Sequence, residues 1–319
     1  MNKMTMALAS VAFAAQGALA QQYPSAPLHI IVPFTPGSAT DIMARVVGER
    51  LAPVLGQPVL VENRPGAGGT IGIAQVAKAP ADGLTLGVVS TGHVVNPVLY
   101  DNLSYDTIKD FAGVAPLAQL PSVLVVPASL GAKSVRDLVA LAKAKPGTYN
   151  FGTAGVGSAA HINSEKFNSA AGIKAVHIPF KGTPEILNDT MSGRVQYAWV
   201  PLVSSVGALK EGKLLALAVS TRARSLALPE VPTIAEAGFP GGQFDFWVGM
   251  LAPARTPRPI VDRLNAEINK AEQLPEVKQR LANLGAEPMP MSAGQFDKYI
   301  AEQATVLQKV MRDAGAKAH

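Results

Sequence analysis

The stretch "VPFTPGSATD", Val32 to Asp41, decides how this chain folds. The run leading into it, "LHIIVPF" (28–34), is apolar and β-branched and reads as a buried strand. It stops at a Pro-x-x-Pro-Gly corner, Pro33 to Gly37, and helix signals begin at once. Ser38-x-x-Asp41 resembles a capping box ahead of "IMARVVGERL", and the helix closes at Gly56. A strand, a glycine corner and a helix in that order form the junction of a parallel α/β sheet. In such sheets ligands bind outside the carboxyl ends of the strands.

The pattern repeats along the chain. Apolar runs at 28–33, 58–61, 84–89, 122–126, 174–179, 195–200, 214–219 and 244–251 read as strands. Helical patterns with start signals lie between most of them. Ser134-x-x-Asp137 opens one, Thr183-Pro184 gives another an N-cap and a first-turn proline, and Ser292-x-x-Gln295 opens the last. The stretch "FAGVAPLAQLPSVLVVPASL" (111–130) is too long for one strand, and "FPGGQFDFWVGMLAPA" (239–254) reads as a returning segment. Two such crossings predict a discontinuous first domain, residues 21–120 and 250–319, around a second domain, residues 121–249. From 255 onward the sequence reads as helix, and no internal repeat is evident.

The bulk numbers narrow the class. The chain has 319 residues, is 48% hydrophobic and only 16% charged, enough for a large core. The first twenty residues, "MNKMTMALASVAFAAQGALA", combine one early lysine, a short apolar stretch and an Ala-Leu-Ala end. They read as a secretory signal peptide, which predicts a mature chain beginning at Gln21. No later apolar run is long enough to span a membrane. With no cysteine, thiol catalysis, disulfides and cysteine-held metals are excluded. Net charge is +5 with the basic residues scattered, so no nucleic-acid footprint is present.

The chemistry sits in the loops. After successive strands come "PFTPGSATD", "ENRPGAGGTIG" and "STGHVVNP", then "NFGTAGVGSAAH" and "PFKGTPE". Each is small, glycine-rich and runs into a helix N-terminus. There the first N–H groups lack intrahelical partners and the helix dipole adds partial positive charge. Glycine removes the Cβ that would keep a ligand off the backbone. One such loop is weak evidence for a carboxylate or phosphate site, because caps and turns need the same residues. Five loops in two halves of one chain point to a cleft lined from both sides.

Enzyme motifs fit less well. Gly155-Val156-Gly157-Ser158-Ala159-Ala160 matches a dinucleotide fingerprint, but the next strand ends at Lys181 and not at an acidic residue. No nucleophile elbow or P-loop is present, and Ser158 with His161 reads as a cap and a first-turn residue. The histidines have no metal-ligand spacing, so no metal and no cofactor are expected. His29 and His177 lie within strands; His93 and His161 stand inside glycine junctions and are candidates for ligand contact. Two readings stand for Asp41, closure of the capping box or acceptance of a bond from a ligand amine. Two also stand for Lys181, solvated or anion-facing, and for Trp199, core or ligand wall.

"IVPFTPGSATD", "VENRPGAGGTIG", "ADGLTLGVVSTGHVVNP", "YNFGTAGVGSAAHI" and "VHIPFKGTPEILND", in that order after a signal peptide, resemble the Bug family. These are periplasmic substrate-binding receptors of tripartite tricarboxylate transporters. The resemblance spans essentially the whole mature chain. It implies a two-domain periplasmic binding protein of Venus-flytrap, type II-like fold, each domain a mainly parallel sheet flanked by helices. It also implies a monomer that closes over a small organic carboxylate and delivers it to the permease subunits of a membrane transporter. By position, the first loop places Phe34, Gly37, Ser38, Ala39, Thr40 and Asp41 at the ligand; Ser38 replaces the family's second glycine. Gly69, Thr91 and His93 follow from the next two loops. The family's Gly-Ser-x-Gly-x-Gly-Ser-x-x-His loop maps onto Thr153, Gly157, Ser158 and His161, with Thr153 in place of serine. The fifth loop contributes Lys181, Gly182 and Thr183, with Phe180 where the family has tyrosine. Gln196 replaces a family aspartate. The alternative is a secreted α/β enzyme acting on a carboxylated small molecule. An adhesive role is disfavoured, because five open glycine loops serve no packing purpose.

Overall fold

The structure, a computed structural model, describes residues 23–313. The expected signal peptide lies outside the described residues. The chain runs β1 (Leu28–Val32), α1 (Ala39–Leu55), β2 (Val59–Asn63), α2 (Thr70–Ala77), β3 (Thr85–Ser90), α3 (Asn96–Leu99) and β4 (Phe111–Leu120). There follow β5 (Ser122–Pro127), α4 (Val135–Ala144), β6 (Asn150–Thr153), α5 (Ala159–Ala171), β7 (Val176–Pro179), α6 (Thr183–Met191), β8 (Tyr197–Pro201), α7 (Leu202–Lys210) and β9 (Leu214–Val219). The chain then returns through β10 (Phe246–Pro253) to α8 (Arg258–Gln273), α9 (Pro275–Asn283) and α10 (Ala293–Asp313).

Two five-stranded sheets result, ordered β2-β1-β3-β10-β4 and β7-β6-β8-β5-β9. The two orders are the same once β10 and β5 are exchanged. In each sheet the first three strands pair in parallel, and the fourth runs antiparallel to both neighbours. The sheets are therefore mixed around a parallel core. The antiparallel strand in each is the one adjoining a crossing. Strand and helix therefore repeat as architecture without a sequence repeat.

Burial on both faces explains the apolar runs. Leu28, Ile30, Ile31 and Val32 of the parallel strand β1 are buried, and so is all of the antiparallel β10, as strands covered on both faces require. Gly249 in β10 is obligatory for packing: a Cβ there would lie 2.3 Å from the Phe296 ring of α10. One apolar core surrounds the first sheet, and two cover the faces of the second. Ala159, Ile162 and Val203, from the second half of the chain, join the first core.

The crossings lie side by side. Pro121 alone separates β4 from β5. Ser220, just after β9, donates its N–H to Ser122 O (2.8 Å) and exchanges bonds with Phe244 (3.0 and 2.9 Å). The last helix opens on a reciprocal Ser292–Gln295 capping box, as the sequence predicts. Two cap expectations are corrected. Ser38 makes no side-chain bond to its own helix, and Thr183 is the first helical residue of α6 after a Gly182 cap.

Candidate ligand cavity between the two sheets

The loops at the carboxyl ends of both sheets meet. Gly37, with φ +86°, turns the chain after β1 in a conformation that only glycine adopts freely. Its N–H donates to Asp41 Oδ2 (2.9 Å), so Asp41 does close the loop onto α1. Ser38 Oγ, freed from capping, accepts instead from the Thr183 N–H at the start of α6 (3.2 Å). Thr35 Oγ1 donates to Glu185 Oε2 (3.0 Å), and the Tyr100 hydroxyl to Val156 O (2.9 Å). These three bonds join the two halves. At about 1 kcal/mol net each, they hold a closed arrangement only marginally on their own.

The cavity between the loops has about 400 Å3 of space not filled by atoms, partly open to solvent. Phe34, Ser38, Ala39, Thr40 and Ser90 line it from the first sheet. Ser122, Ala154, Ser158, Ala159, Ala160, Thr183, Trp199 and Pro201 line it from the second, and Phe246 from the returning strand. Two helices start at its wall. The first intrahelical bond of α1 is Ile42 N–H to Ser38 O, and that of α5 is Ile162 N–H to Ser158 O. The amides of Ala39, Thr40, Ala159 and Ala160 therefore have no partner within their helices. Two side-chain atoms of lining residues, Thr40 Oγ1 and Trp199 Nε1, are buried with no hydrogen-bond partner.

Of the sequence-predicted residues, Phe34, Ser38, Ala39, Thr40, Ser158 and Thr183 line the cavity. Gly37, Asp41, Thr153, Gly157, His161 and Gly182 adjoin lining residues in the chain but are not among them. Asp41 is spent: it accepts from Gly37, from the Arg45 guanidinium (2.9–3.1 Å) and from Asn63 Nδ2 (2.9 Å). Burial alone would raise its carboxyl; the bonds from Arg45, Gly37 and Asn63 outweigh this and hold it below its ordinary value. Of the two readings of Asp41, these bonds favour closure of the loop. His161 Nδ1 accepts from the Gly157 N–H (3.2 Å) and fixes the loop. Its ring stacks on His177 (4.5 Å). Burial, with His177 adding, pushes His161 down to about 3, and burial pushes His177 to about 4. Neither offers positive charge to an anion at neutral pH.

The remaining predicted residues are not brought to the cavity. His93 is buried with Nε2 on Thr107 O (2.9 Å), its ring against Tyr105 and Phe111. Together with Gly69 it borders a smaller void of about 210 Å3 behind Phe34 and Ser90. Thr91 Oγ1 accepts from the Trp247 N–H (2.8 Å) and ties β3 to β10. Lys181 is exposed and is not among the lining residues of the cavity. The sequence reading did not assign Ser90, Ser122, Ala154, Ala159, Ala160, Pro201 or Phe246. Ser122 and Phe246 mark where the crossings enter their sheets, and those crossings were the signal available.

Comparison with known proteins gives the context. Residues 43–315 match the TctC family, described as the tripartite tricarboxylate transporter family receptor. The chain is 41% identical over 264 residues to a UPF0065 protein from the tcbD-tcbE intergenic region of Pseudomonas sp. strain P51 (82% of this chain, 79% of the relative). It is 37% identical over 300 residues to BugT of Bordetella pertussis (93% and 92%). Among solved structures, periplasmic binding protein BugD superposes at TM-score 0.89 with 31% identity, covering 93% of this chain and all of BugD. Rpa4515 of R. palustris with adipate superposes at 0.89 with 34% identity (93% and 100%). MatC of Rhodopseudomonas palustris with bound malate superposes at 0.87 with 33% identity (90% and 99%). These relatives are solute-binding proteins, and among the described residues no helix is long and apolar enough to cross a membrane. The chain belongs to the Bug family of tripartite tricarboxylate transporter receptors.

Proposed function

We propose that this chain is an exported receptor that captures a small organic carboxylate between its two sheets and hands it to a membrane permease. The observation that carries the reading is convergence. The N-termini of α1 and α5, from different sheets, open on one cavity, and two of its lining residues, Thr40 and Trp199, each carry a buried polar atom without a hydrogen-bond partner. Four free amides and a hydroxyl make an anion site that needs no side-chain charge. Relatives with adipate and malate bound support carboxylates as the ligand class.

The sheets correspond to two domains close to the expected division at 120/121 and 249/250, with all of β10 belonging to the first, that hinge at the paired crossings around Pro121 and Ser220. The receptor acts as a monomer in the periplasm after loss of residues 1–20. A thermal-shift screen over carboxylates tests the central claim: a ligand at 100 times its Kd adds about 2.7 kcal/mol. A flat response to every carboxylate refutes it. N-terminal sequencing of exported protein should read from Gln21, and retention of Met1 refutes export by cleavage.

A further inference from the structure

The loop at 154–158 carries two cavity-lining residues, Ala154 and Ser158, and leads into the free amides of α5. It is also a surface on which the two halves meet. Val156 O accepts from the Tyr100 hydroxyl. A Cβ added at Gly155 would stand 2.9 Å from Gly68 N, and one added at Gly92 would stand 2.3 Å from Gly157 O. Backbone lies directly on backbone here, so a small shift of the loop moves both the contact and the amides. Two of its residues are glycines in the left-handed region, Gly155 at φ +102° and Gly157 at +79°. Glycine has more backbone freedom than any other residue, so the loop does not fix its own path.

Side chains outside the loop supply what it lacks. His161 Nδ1 accepts from the Gly157 N–H (3.2 Å). A backbone amide can only donate, so Nδ1 is bare and the ring proton is on Nε2, which lies 3.8 Å from Glu165 Oε1. The N–H of the same residue donates to Ser158 Oγ (3.3 Å). Stacking holds the ring: His161 lies 4.5 Å from His177, and His177 lies 5.1 Å from Phe151, both pairs within 17° of parallel. Burial, with His177 adding, pushes His161 down to about 3, so Nδ1 stays bare at neutral pH. Thr153, buried at the end of β6, takes the other glycine. Its Oγ1 accepts from the Gly155 N–H (3.2 Å) and shares a 2.5 Å hydrogen bond with His177 Nε2. The histidine pair thus reaches both glycines, His161 directly and His177 through Thr153.

We infer, on the receptor reading above, that His161 and Thr153 are positioning residues for carboxylate capture: the bare Nδ1 of one and the His177-held hydroxyl of the other fix Gly157 and Gly155, and so set where the α5 amides face. Neither residue is among those lining the cavity. His161 contributes an acceptor at one defined atom and no charge.

Five forms of the mature chain test this: wild type, His161→Asn, His161→Gln, Thr153→Ser and Thr153→Val. Asparagine places Oδ1 where Nδ1 stands, whereas the glutamine oxygen lies one bond further out, near the place of Nε2. Serine keeps the hydroxyl and valine keeps only the shape. Titration calorimetry with malate and adipate should give Kd within three-fold of wild type for His161→Asn and Thr153→Ser, and a loss of ten-fold or more for His161→Gln and Thr153→Val. Amide hydrogen exchange on the unliganded proteins should show the Gly157 N–H at least ten-fold faster in His161→Gln and the Gly155 N–H likewise in Thr153→Val, with both near wild type in the conservative variants. Should His161→Gln fail to fold, the Thr153 pair decides. Asparagine and glutamine giving the same Kd, or serine and valine doing so, overturns the inference while the receptor reading stands. Wild type binding no carboxylate of the thermal-shift screen overturns both.

Discussion

Substitution of Gly92 by alanine separates closure from folding. Gly92 follows β3 and its φ is outside the left-handed region, so alanine adopts its backbone without strain. An added Cβ would stand 2.3 Å from Gly157 O, 3.1 Å from Ala159 N and 3.1 Å from Ser158 Cα. All three are backbone atoms of the facing loop, so no side chain can swing aside. A carbon–oxygen contact needs about 3.3 Å, so the loops must part by about 1 Å. That displacement draws the free amides of α5 away from those of α1. With the halves apart the Cβ meets nothing from the facing loop, and Gly→Ala at a compatible site tends to stabilise by about 0.4–1 kcal/mol through the unfolded chain. The two effects have opposite signs. Carboxylate affinity should fall on the order of 100-fold, equivalent to about 2.7 kcal/mol, while the unliganded melting temperature holds or rises. Calorimetry, melting curves and solution scattering read all three quantities. A Kd within three-fold of wild type, with folding intact, refutes closure of these loops around the ligand.

Acid sensitivity follows from His93, His161 and His177, pushed down to about 4, 3 and 4, by burial in each case first. Their folded values lie below the unfolded one of about 6.5, so their contribution is complete above that pH and is lost as pH falls toward 4 and 3. Urea titrations from pH 7 to 4 should show falling stability, and His161→Asn should flatten the slope by up to about one proton; an unchanged slope contradicts this. Glu272 behaves oppositely. Its carboxyl is buried in α8 with both oxygens unpartnered, and burial pushes it up to about 8. Its contribution is complete below the unfolded value of about 4.5 and is lost as pH rises through 8, so Glu272→Gln should add roughly 2–4 kcal/mol at pH 9 and little at pH 4.5. Equal effects at both pH values would disprove a buried neutral acid. Lys181→Ala should leave Kd within two-fold, since the ammonium is outside the cavity; a ten-fold loss returns it to the ligand.

Local features were legible in the sequence, and long-range ones were not. The strand at Leu214–Val219 and the Gly37 corner are encoded by neighbours in the chain. Strand β6, Asn150–Thr153, is too short to show a period, and only the glycine-rich loop after it marks its place. Ser38 has the spacing of a cap, yet its hydroxyl serves Thr183, a partner 145 positions away. His93 sits in a glycine loop like a ligand group, but Thr107 and two aromatic rings claim it. Trp199 and Phe246 reach the cavity from different strands, a proximity that exists only once both crossings are made.

The shared strand order has a consequence for how the chain is built. Strands β5 to β9 are consecutive, so the second sheet is complete once Val219 has been made. The first sheet is not: β3 and β4 are never neighbours and are joined only through β10, Phe246–Pro253. Until that segment emerges, β4 has no partner in its own sheet and an N-terminal fragment ending near Leu120 is an open edge. The half that begins the chain is thus the later to finish. If the chain is exported unfolded, as proposed above, its leading end stays slack during passage and locks only after most of the polypeptide has arrived on the far side.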